Sequence, residues 1–383
     1  MLKAAPYMNG IAEAMSVKFN NLVYDMKERG EDVVVLSLGE AFFEIPLFDF
    51  HDLPFPDIYH YSHSRGVTEL REKLAGYYRA QYRVPVDPGS EVIVTAGSKI
   101  AIYMSLMAVV EPGDEVVIRE PAWVSYSEQV RLCHGAPVLV PHHEPIEALD
   151  RYVSERTKAI IVNNPHNPSG GVLSRKELEH LHGVARDRRI YLIADEAYSD
   201  FVLDGDVFLS CGVFDPGKEH TIICNSMSKN YGMSGWRVGY AIANPEMSQQ
   251  ILKINQHLVT CPATILEHYL ARHFHEILAI TKPQIRGVLE KRRELAAYMD
   301  SLGLRYMPGS ATFYFFVSIE PSRLRSEEFC LTLVKESRVS VVPGIGYGRS
   351  CDGFVRVSVG TESMDRTTHG IRKLAELIGK TAR

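Results

Sequence analysis

Several things are missing from this 383-residue sequence. No two of its six cysteines (Cys133, Cys211, Cys224, Cys261, Cys330 and Cys351) form a C-x-x-C pair, which argues against a zinc or other metal site and fits buried thiols in a reducing compartment. No apolar run approaches the roughly 18 residues of a membrane span. The N-terminal MLKAAPYMNGIAEAMSVKFN lacks the apolar stretch of a signal peptide. A basic excess is absent too: 42 Lys plus Arg against 47 Asp plus Glu leave a net charge of −5, so no global field draws the chain to nucleic acid or anionic lipid. There is no fixed-period repeat and no low-complexity segment, which excludes solenoids and linker-joined modules. With 45% apolar and 23% charged residues, and only 28 Gly and 20 Pro, the chain is neither collagen-like nor disordered nor a coiled coil. What remains is a soluble, cytoplasmic globular protein of two domains or a little more, at about 150 residues each.

Between about residues 65 and 245, short runs rich in Val and Ile alternate with segments of helical period. The runs are Val92 to Thr95, Glu115 to Ile118, Pro137 to Val140, Ala159 to Val162, Ile190 to Ala194, Thr221 to Cys224 and Val238 to Ala243. Apolar throughout, they predict strands covered on both faces. The fold class is therefore α/β, a three-layer sandwich with a mainly parallel seven-stranded sheet. Ser174 and Glu177 form a capping-box pattern ahead of Leu178, Leu181 and Ala185 on one helix face. Leu70 and Leu74, with Tyr77 or Tyr78, mark another helix, and Glu111-Pro112-Gly113-Asp114 a turn. Beyond residue 245 the rhythm changes: a helix over Lys282 to Ser301, strands over Ala311 to Ile319, Val339 to Val342 and Phe354 to Val359, then an amphipathic helix. This predicts a smaller α+β domain assembled from both chain ends, 1–40 with 285–383, beside a large domain over 41–284.

Ligands of an open parallel sheet gather at the carboxyl ends of its strands, and four of those ends carry unusual residues. Val94 leads to Thr95-Ala96-Gly97-Ser98-Lys99-Ile100, a strand-to-helix turn whose N–H groups and helix dipole suit a phosphate. By itself, a Gly-Ser turn is an ordinary N-cap. Val162 leads to Asn163-Asn164-Pro165-His166-Asn167-Pro168-Ser169-Gly170-Gly171, too polar and constrained for a generic connection. Ile193 leads to Ala194-Asp195-Glu196-Ala197-Tyr198, an acid at a buried strand end, for which a helix cap is the plainer alternative. Cys224 leads to Asn225-Ser226-Met227-Ser228-Lys229, a lysine among hydroxyls, with Arg237 farther on. Alone, that lysine would read as a surface residue. Together, a phosphate cradle, an acid, an amine nucleophile and an arginine on one sheet edge are the set needed to bind pyridoxal 5′-phosphate.

Ser226-Met-Ser-Lys-Asn-Tyr-Gly-Met-Ser-Gly-Trp-Arg-Val-Gly239 matches the S-x-S-K-x-x-x-x-x-G-x-R-x-G signature of fold-type I aminotransferases, and Asn163 to Gly170 resembles their N-x-P-x-N-P-T-G loop. The chain thus resembles the class I/II aminotransferase family, nearest its aspartate/aromatic branch, from Gly39-Glu40 to Arg356. The resemblance implies that Lys229 forms a Schiff base with the cofactor aldehyde and moves the substrate α-proton, its amine kept neutral by burial and by Arg237 and Arg356. It implies further that Asp195 pairs with the pyridine nitrogen, that Asn167 and Tyr198 reach the phenolic oxygen, and that Trp123 stacks on the ring. Ser226, Ser228, Arg237 and the backbone of Ser98 and Lys99 would hold the phosphate. Arg356, with Gly39 and Asn167, would take the substrate carboxylate. Tyr61 matches a tyrosine that reaches the phosphate of a neighbouring subunit, which implies a homodimer with shared active sites.

One stretch departs from the family. Gly39-Glu-Ala-Phe-Phe-Glu-Ile-Pro46 replaces the usual G-E-P-D-F-x-x-P, so that Ala41-Phe42-Phe43 either shapes the pocket for a large nonpolar donor or packs at the domain interface. Gly344-Ile-Gly346-Tyr-Gly348 has no βαβ context and reads as a turn. The implied activity is transfer of an amino group from an amino acid to a 2-oxo acid. The alternative on the same scaffold is a C–S β-lyase or a related eliminating enzyme. A ligand-binding regulatory module, which would carry a basic helix-turn-helix segment, fits less well.

Overall fold

The computed structural model describes residues 3–203 and 207–382. After helix α1 (Met15–Glu28) and strand β1 (Val34–Val35), the chain lays down a seven-stranded sheet: β2 (Val92–Thr95), β3 (Glu115–Arg119), β4 (Ala136–Val140), β5 (Thr157–Asn163), β6 (Tyr191–Asp195), β7 (Thr221–Ser226) and β8 (Gly239–Ile242). The order is β2-β8-β7-β6-β5-β3-β4, with β8 alone running against its neighbours. Every one of the seven apolar runs is a strand of this sheet.

Side chains that alternate along a strand leave on opposite faces, and here each set meets helices. Ile93, Val116, Ile118, Ile161, Ile193 and Ile222 pack with residues of α3 (Ser98–Val109), α4 (Tyr126–Leu132) and α6 (Pro245–Leu258). On the other face, Val117, Ile160 and Leu192 meet Leu178 and Leu181 of α5 (Arg175–Arg188), while Val94, Ile223 and Ile242 meet α2 (Thr68–Tyr77) and α7 (Thr264–Arg272). Burial of both faces is why the runs are continuously apolar. The α5 capping box forms: Ser174 Oγ accepts from the Glu177 N–H at 3.2 Å, and Glu177 Oε2 accepts from the Ser174 N–H at 2.7 Å.

Helix α8 (Phe274–Ser301) starts well before the expected Lys282 and runs straight through position 284 with Pro283 inside it. A proline reads as a helix start, but Ile277 and Leu278 carry the buried face back past it. Beyond lie β9 (Tyr314–Ser318), α9 (Ser326–Ser337), β10 (Val339–Ser340), β11 (Val342–Pro343), β12 (Phe354–Ser358) and α10 (Met364–Lys380). The expected single strand over Val339 to Val342 is divided between two sheets: β10 pairs in parallel with β1, whereas β11 joins the antiparallel sheet β11-β12-β9. All four residues of that run are buried, so its composition conceals the change of partner. One apolar cluster unites Phe19 of α1 and Val34 of β1 with Ile285 and Leu289 of α8, Phe315 of β9 and Ile371 of α10. The N-terminal segment therefore packs with the C-terminal one. Gly344–Tyr347 forms a short 3-10 turn.

All six cysteines are free and buried. Among the described residues no helix is long and apolar enough to cross a membrane, and no group of three or more His, Cys, Asp or Glu is placed to hold a metal ion.

Candidate active site

The carboxyl ends of β2, β5, β6 and β7 open into a cleft of about 310 Å³ whose far wall is β9 and β12 of the smaller sheet. Lys229, Asp195, Tyr198, Asn167, Trp123, Ser98, Lys99, Ser226, Ser228, Arg237, Gly39 and Arg356 all line it. Tyr61 does not: it is 86% exposed and is not among the residues that line this cleft. A larger cavity of about 560 Å³ behind the Asn163 to Gly171 loop is walled mainly by apolar side chains such as Leu149, Val162 and Leu181, and none of Lys229, Asp195, Arg237 or Arg356 reaches it.

At one end, Gly97 takes φ +89° and leaves α3 without a side-chain cap, so its first N–H groups stay open to the cleft. A Cβ on Gly97 would lie 2.5 Å from Arg237 Nη2. Arg237 Nη1 donates to the Ser234 carbonyl at 2.6 Å and reaches Ser228 Oγ at 3.5 Å. Ser226 Oγ accepts from the Ser228 N–H at 3.2 Å. Together these groups suit an oxyanion.

Asp195 ends β6, buried at the floor of the cleft. Its Oδ2 accepts from the Tyr126 hydroxyl at 2.6 Å and its Oδ1 from the Ala197 N–H at 3.2 Å. Burial pushes its pKa up, opposed by Tyr126, Ala197 and Lys229. The cap-like contact to Ala197 exists, but it uses only one of the two oxygens. Asn163 ties the neighbouring loop to this strand, donating to the Asp195 carbonyl at 3.0 Å and accepting from the Asn167 N–H at 2.7 Å.

Lys229 follows β7, and its Nζ donates to the Gly39 carbonyl. Burial lowers its pKa to about 8; Glu40 and Asp195 oppose the shift, while Arg356 and Arg237 assist it. The amine is thus poised between charged and neutral near physiological pH.

At the other end Arg356, only 3% exposed, donates from Nη2 to the Ser37 carbonyl at 2.7 Å and stands over the Tyr314 ring, 4.5 Å from its centroid. Its Nε is buried without a partner. Gly39 keeps this end open, since a Cβ there would lie 3.1 Å from the Tyr314 hydroxyl and 3.7 Å from Arg356 Nη2. Trp123 flanks the middle, edge-on to Tyr126 at 5.3 Å, with Lys99 Nζ 5.1 Å from its ring. Ala41, Phe42 and Phe43 do not line the cleft. Phe43 stacks on Phe201 at 6.3 Å and abuts Gly232, which is interface packing.

Lys99, Lys229, Arg237 and Arg356 outnumber the two cleft acids, Glu40 and Asp195, so the site favours a ligand with two anionic ends. Sequence reasoning missed Tyr126, Tyr314, Glu40 and the α1 residues Ser16, Val17 and Asn20, which also line the cleft or support it. Tyr126 could have been found from its place three residues after Trp123. Tyr314 sits in an apolar run indistinguishable from core.

Comparison with known proteins bears directly on this site. The family described as aminotransferase class I and II matches residues 50–374. The chain is 32% identical over 371 residues to an aspartate aminotransferase of Pyrococcus abyssi, covering 92% of this chain and 95% of that protein. It is 31% identical over 361 residues to aromatic-amino-acid aminotransferase 2 of Thermococcus litoralis, covering 90% and 93%. Among solved structures, the aspartate aminotransferase from Thermus thermophilus with maleate superposes with a TM-score of 0.88 at 28% identity, covering 98% of this chain and all of that one.

Proposed function

The chain belongs to the class I and II aminotransferases, and from that premise we propose that Lys229, Asp195 and Tyr198 carry its chemistry while Arg356 selects the amino-acid carboxylate. The enzyme is a pyridoxal 5′-phosphate-dependent transaminase. The residues present fit that cofactor: an oxyanion cradle at Gly97, Ser228 and Arg237, a buried carboxylate at Asp195 and an amine of lowered pKa at Lys229 are the donor set that a phosphate, a pyridine nitrogen and an aldehyde require. When bound, it supplies an electron-withdrawing ring that makes an amino acid's α-hydrogen acidic.

The protein's own groups do the rest. Ser226, Ser228, Arg237 and the N–H groups of Ser98 and Lys99 would hold the phosphate. Asp195, oriented by Tyr126, would hold a proton on the ring nitrogen. Lys229 Nζ would hold the cofactor's aldehyde end and would serve as the base that takes and returns the substrate α-proton. Asn167 and Tyr198 would donate to the phenolic oxygen, and Trp123 would flank the ring. Arg356 offers a buried guanidinium with an unused Nε, suited to a carboxylate that binds by two hydrogen bonds.

Exposure supports a homodimer with shared sites: Tyr61 at 86% and Tyr59 at 74% stand out, with Phe55 edge-on to Tyr59 at 5.6 Å, an apolar surface that a second copy would cover. Six free, buried cysteines support a reducing, cytoplasmic setting.

The observation that carries this reading is the convergence of Lys229, Asp195, Arg237 and Arg356 on one cleft. The test is to give cofactor-loaded protein an amino acid without an acceptor. A transaminase releases one equivalent of 2-oxo acid per site and stops. Continued release of product would instead identify an eliminating enzyme.

A further inference from the structure

Tyr198 and Tyr314 come from different parts of the fold, the first from the turn after β6 and the second from β9, yet their hydroxyls lie 2.8 Å apart. Both are buried, at 5% and 1% exposure. Each phenol has one proton to give, and no other hydrogen bond to either hydroxyl is present among the described residues. The pair therefore has a direction. If Tyr198 spends its proton on Tyr314, nothing remains for a ligand. If Tyr314 donates, the Tyr198 proton is free to point into the cleft.

We propose that Tyr314 is a positioning residue whose hydroxyl donates to Tyr198 and so commits the single Tyr198 proton to the phenolic oxygen of the cofactor. This rests on the role given to Tyr198 above. The surroundings favour that direction. Tyr314 is a diagonal cross-strand neighbour of Arg356, because Arg356 pairs with Phe316 and Tyr314 lies two residues along β9 on the same face. Its ring thus lies beneath the Arg356 guanidinium, the centroid 4.5 Å from it. Burial raises the pKa of both phenols and Arg356 opposes that rise at both. The guanidinium stands 4.5 Å from the Tyr314 centroid, whereas the cation over the Tyr198 ring, Lys229 Nζ, is 5.9 Å away, so the Tyr314 phenol is the more strongly acidified. The more acidic phenol is the better donor. A cation over the ring of Tyr314 thereby sharpens a hydrogen bond made by Tyr198.

The consequence is measurable at Lys229. A hydrogen bond donated to the phenolic oxygen weakens that oxygen's hold on the neighbouring nitrogen-bound proton, so losing it raises the pH at which the visible band of the loaded protein changes. The charged groups facing Lys229 are Glu40 from the segment after β1, Asp195 from β6, Arg237 from the turn before β8 and Arg356 from β12. None is altered by Tyr314→Phe, which keeps the ring under Arg356.

The experiment titrates the visible absorbance of cofactor-loaded wild type, Tyr314→Phe, Tyr198→Phe and the double variant. Tyr198→Phe should raise the midpoint. Tyr314→Phe should raise it by roughly 10–30% as much, the strengthening one hydrogen bond lends the next, and the double variant should match Tyr198→Phe alone. A shift in Tyr198→Phe with none in Tyr314→Phe overturns the relay by itself. Additive shifts in the double variant overturn it too. An unmoved midpoint in Tyr198→Phe overturns the role of Tyr198, and the relay falls with it. Tyr314→Leu, which removes the ring as well, should give the same shift together with a raised KM for the amino acid.

Discussion

The Tyr126 hydroxyl donates to Asp195 Oδ2 at 2.6 Å, both residues buried and Asp195 at the floor of the cleft. Tyr126 comes from the first turn of α4 and Asp195 from the last residue of β6, so the carboxylate is held from across the sheet edge. Tyr126→Phe would leave one buried oxygen of Asp195 without a partner. A hydrogen bond to a charged group is worth about 1.5–3 kcal/mol, so turnover should fall about 10- to 100-fold while the phosphate cradle still retains cofactor. Steady-state kinetics with a cofactor count per chain would check this; an unchanged kcat would remove Tyr126 from the machinery.

Lys229 sets a pH dependence. With its pKa lowered to about 8, the amine is mostly charged at pH 7 and becomes neutral, hence nucleophilic, as pH rises through 8. Cofactor capture by apoprotein should speed up about tenfold per pH unit below that value and level off above it. Lys229→Ala should abolish capture and cost at least the roughly 10²- to 10⁴-fold of one acid–base group. A flat capture profile, or normal turnover without the lysine, would contradict the assignment.

Gly97 is a backbone requirement of the phosphate end. At φ +89° an alanine is strained, and its Cβ would crowd Arg237 Nη2. Gly97→Ala should weaken cofactor retention about tenfold or more, in keeping with about 1–3 kcal/mol of local strain. Equilibrium dialysis against pyridoxal 5′-phosphate measures it, and wild-type affinity would show that the turn has room to spare.

Glu196, next to Asp195 but turned away from the cleft, accepts from Ser210 Oγ and the Cys211 N–H, each at 2.8 Å. Burial raises its pKa to about 8 from 4.5. A carboxyl raised in the folded state binds its proton more tightly there than when unfolded, so the stability it contributes is full below about pH 4.5 and is lost as pH rises through 8. The melting temperature of Glu196→Gln relative to wild type should therefore climb between pH 5 and pH 8. A constant difference over that range would mean that Glu196 ionises normally in the fold.

The sheet was legible because its strands are buried on both faces, which writes Val and Ile at consecutive positions, and because the loops after β2, β5, β6 and β7 carry polar residues that no packing requirement explains. The residues missed are those whose chemistry is hidden by their setting. Tyr314 looks like one more apolar residue of β9, and only the approach of Tyr198 and Arg356 gives its hydroxyl a task. Val339 to Val342 looks like one strand because burial is uniform while the hydrogen-bond partner changes midway. Helix α8 hides its start because its internal Pro283 imitates one. Pattern records what a residue is buried by, not which neighbour it bonds.

Five of the six buried thiols are distributed over four separate cores. Cys330 lies in the core shared by both chain ends, Cys211 under α5, Cys133 and Cys224 between the sheet and the α3 face, and Cys351 beneath Phe354. Burial pushes the Cys133 and Cys351 thiols up to about 12 and raises those of Cys211, Cys224 and Cys330 as well, so in the closed protein they are neither exposed nor thiolate. Each becomes reactive only when its own layer parts. Timed alkylation read by peptide mass would thus map, without any engineered label, the order in which the layers come undone.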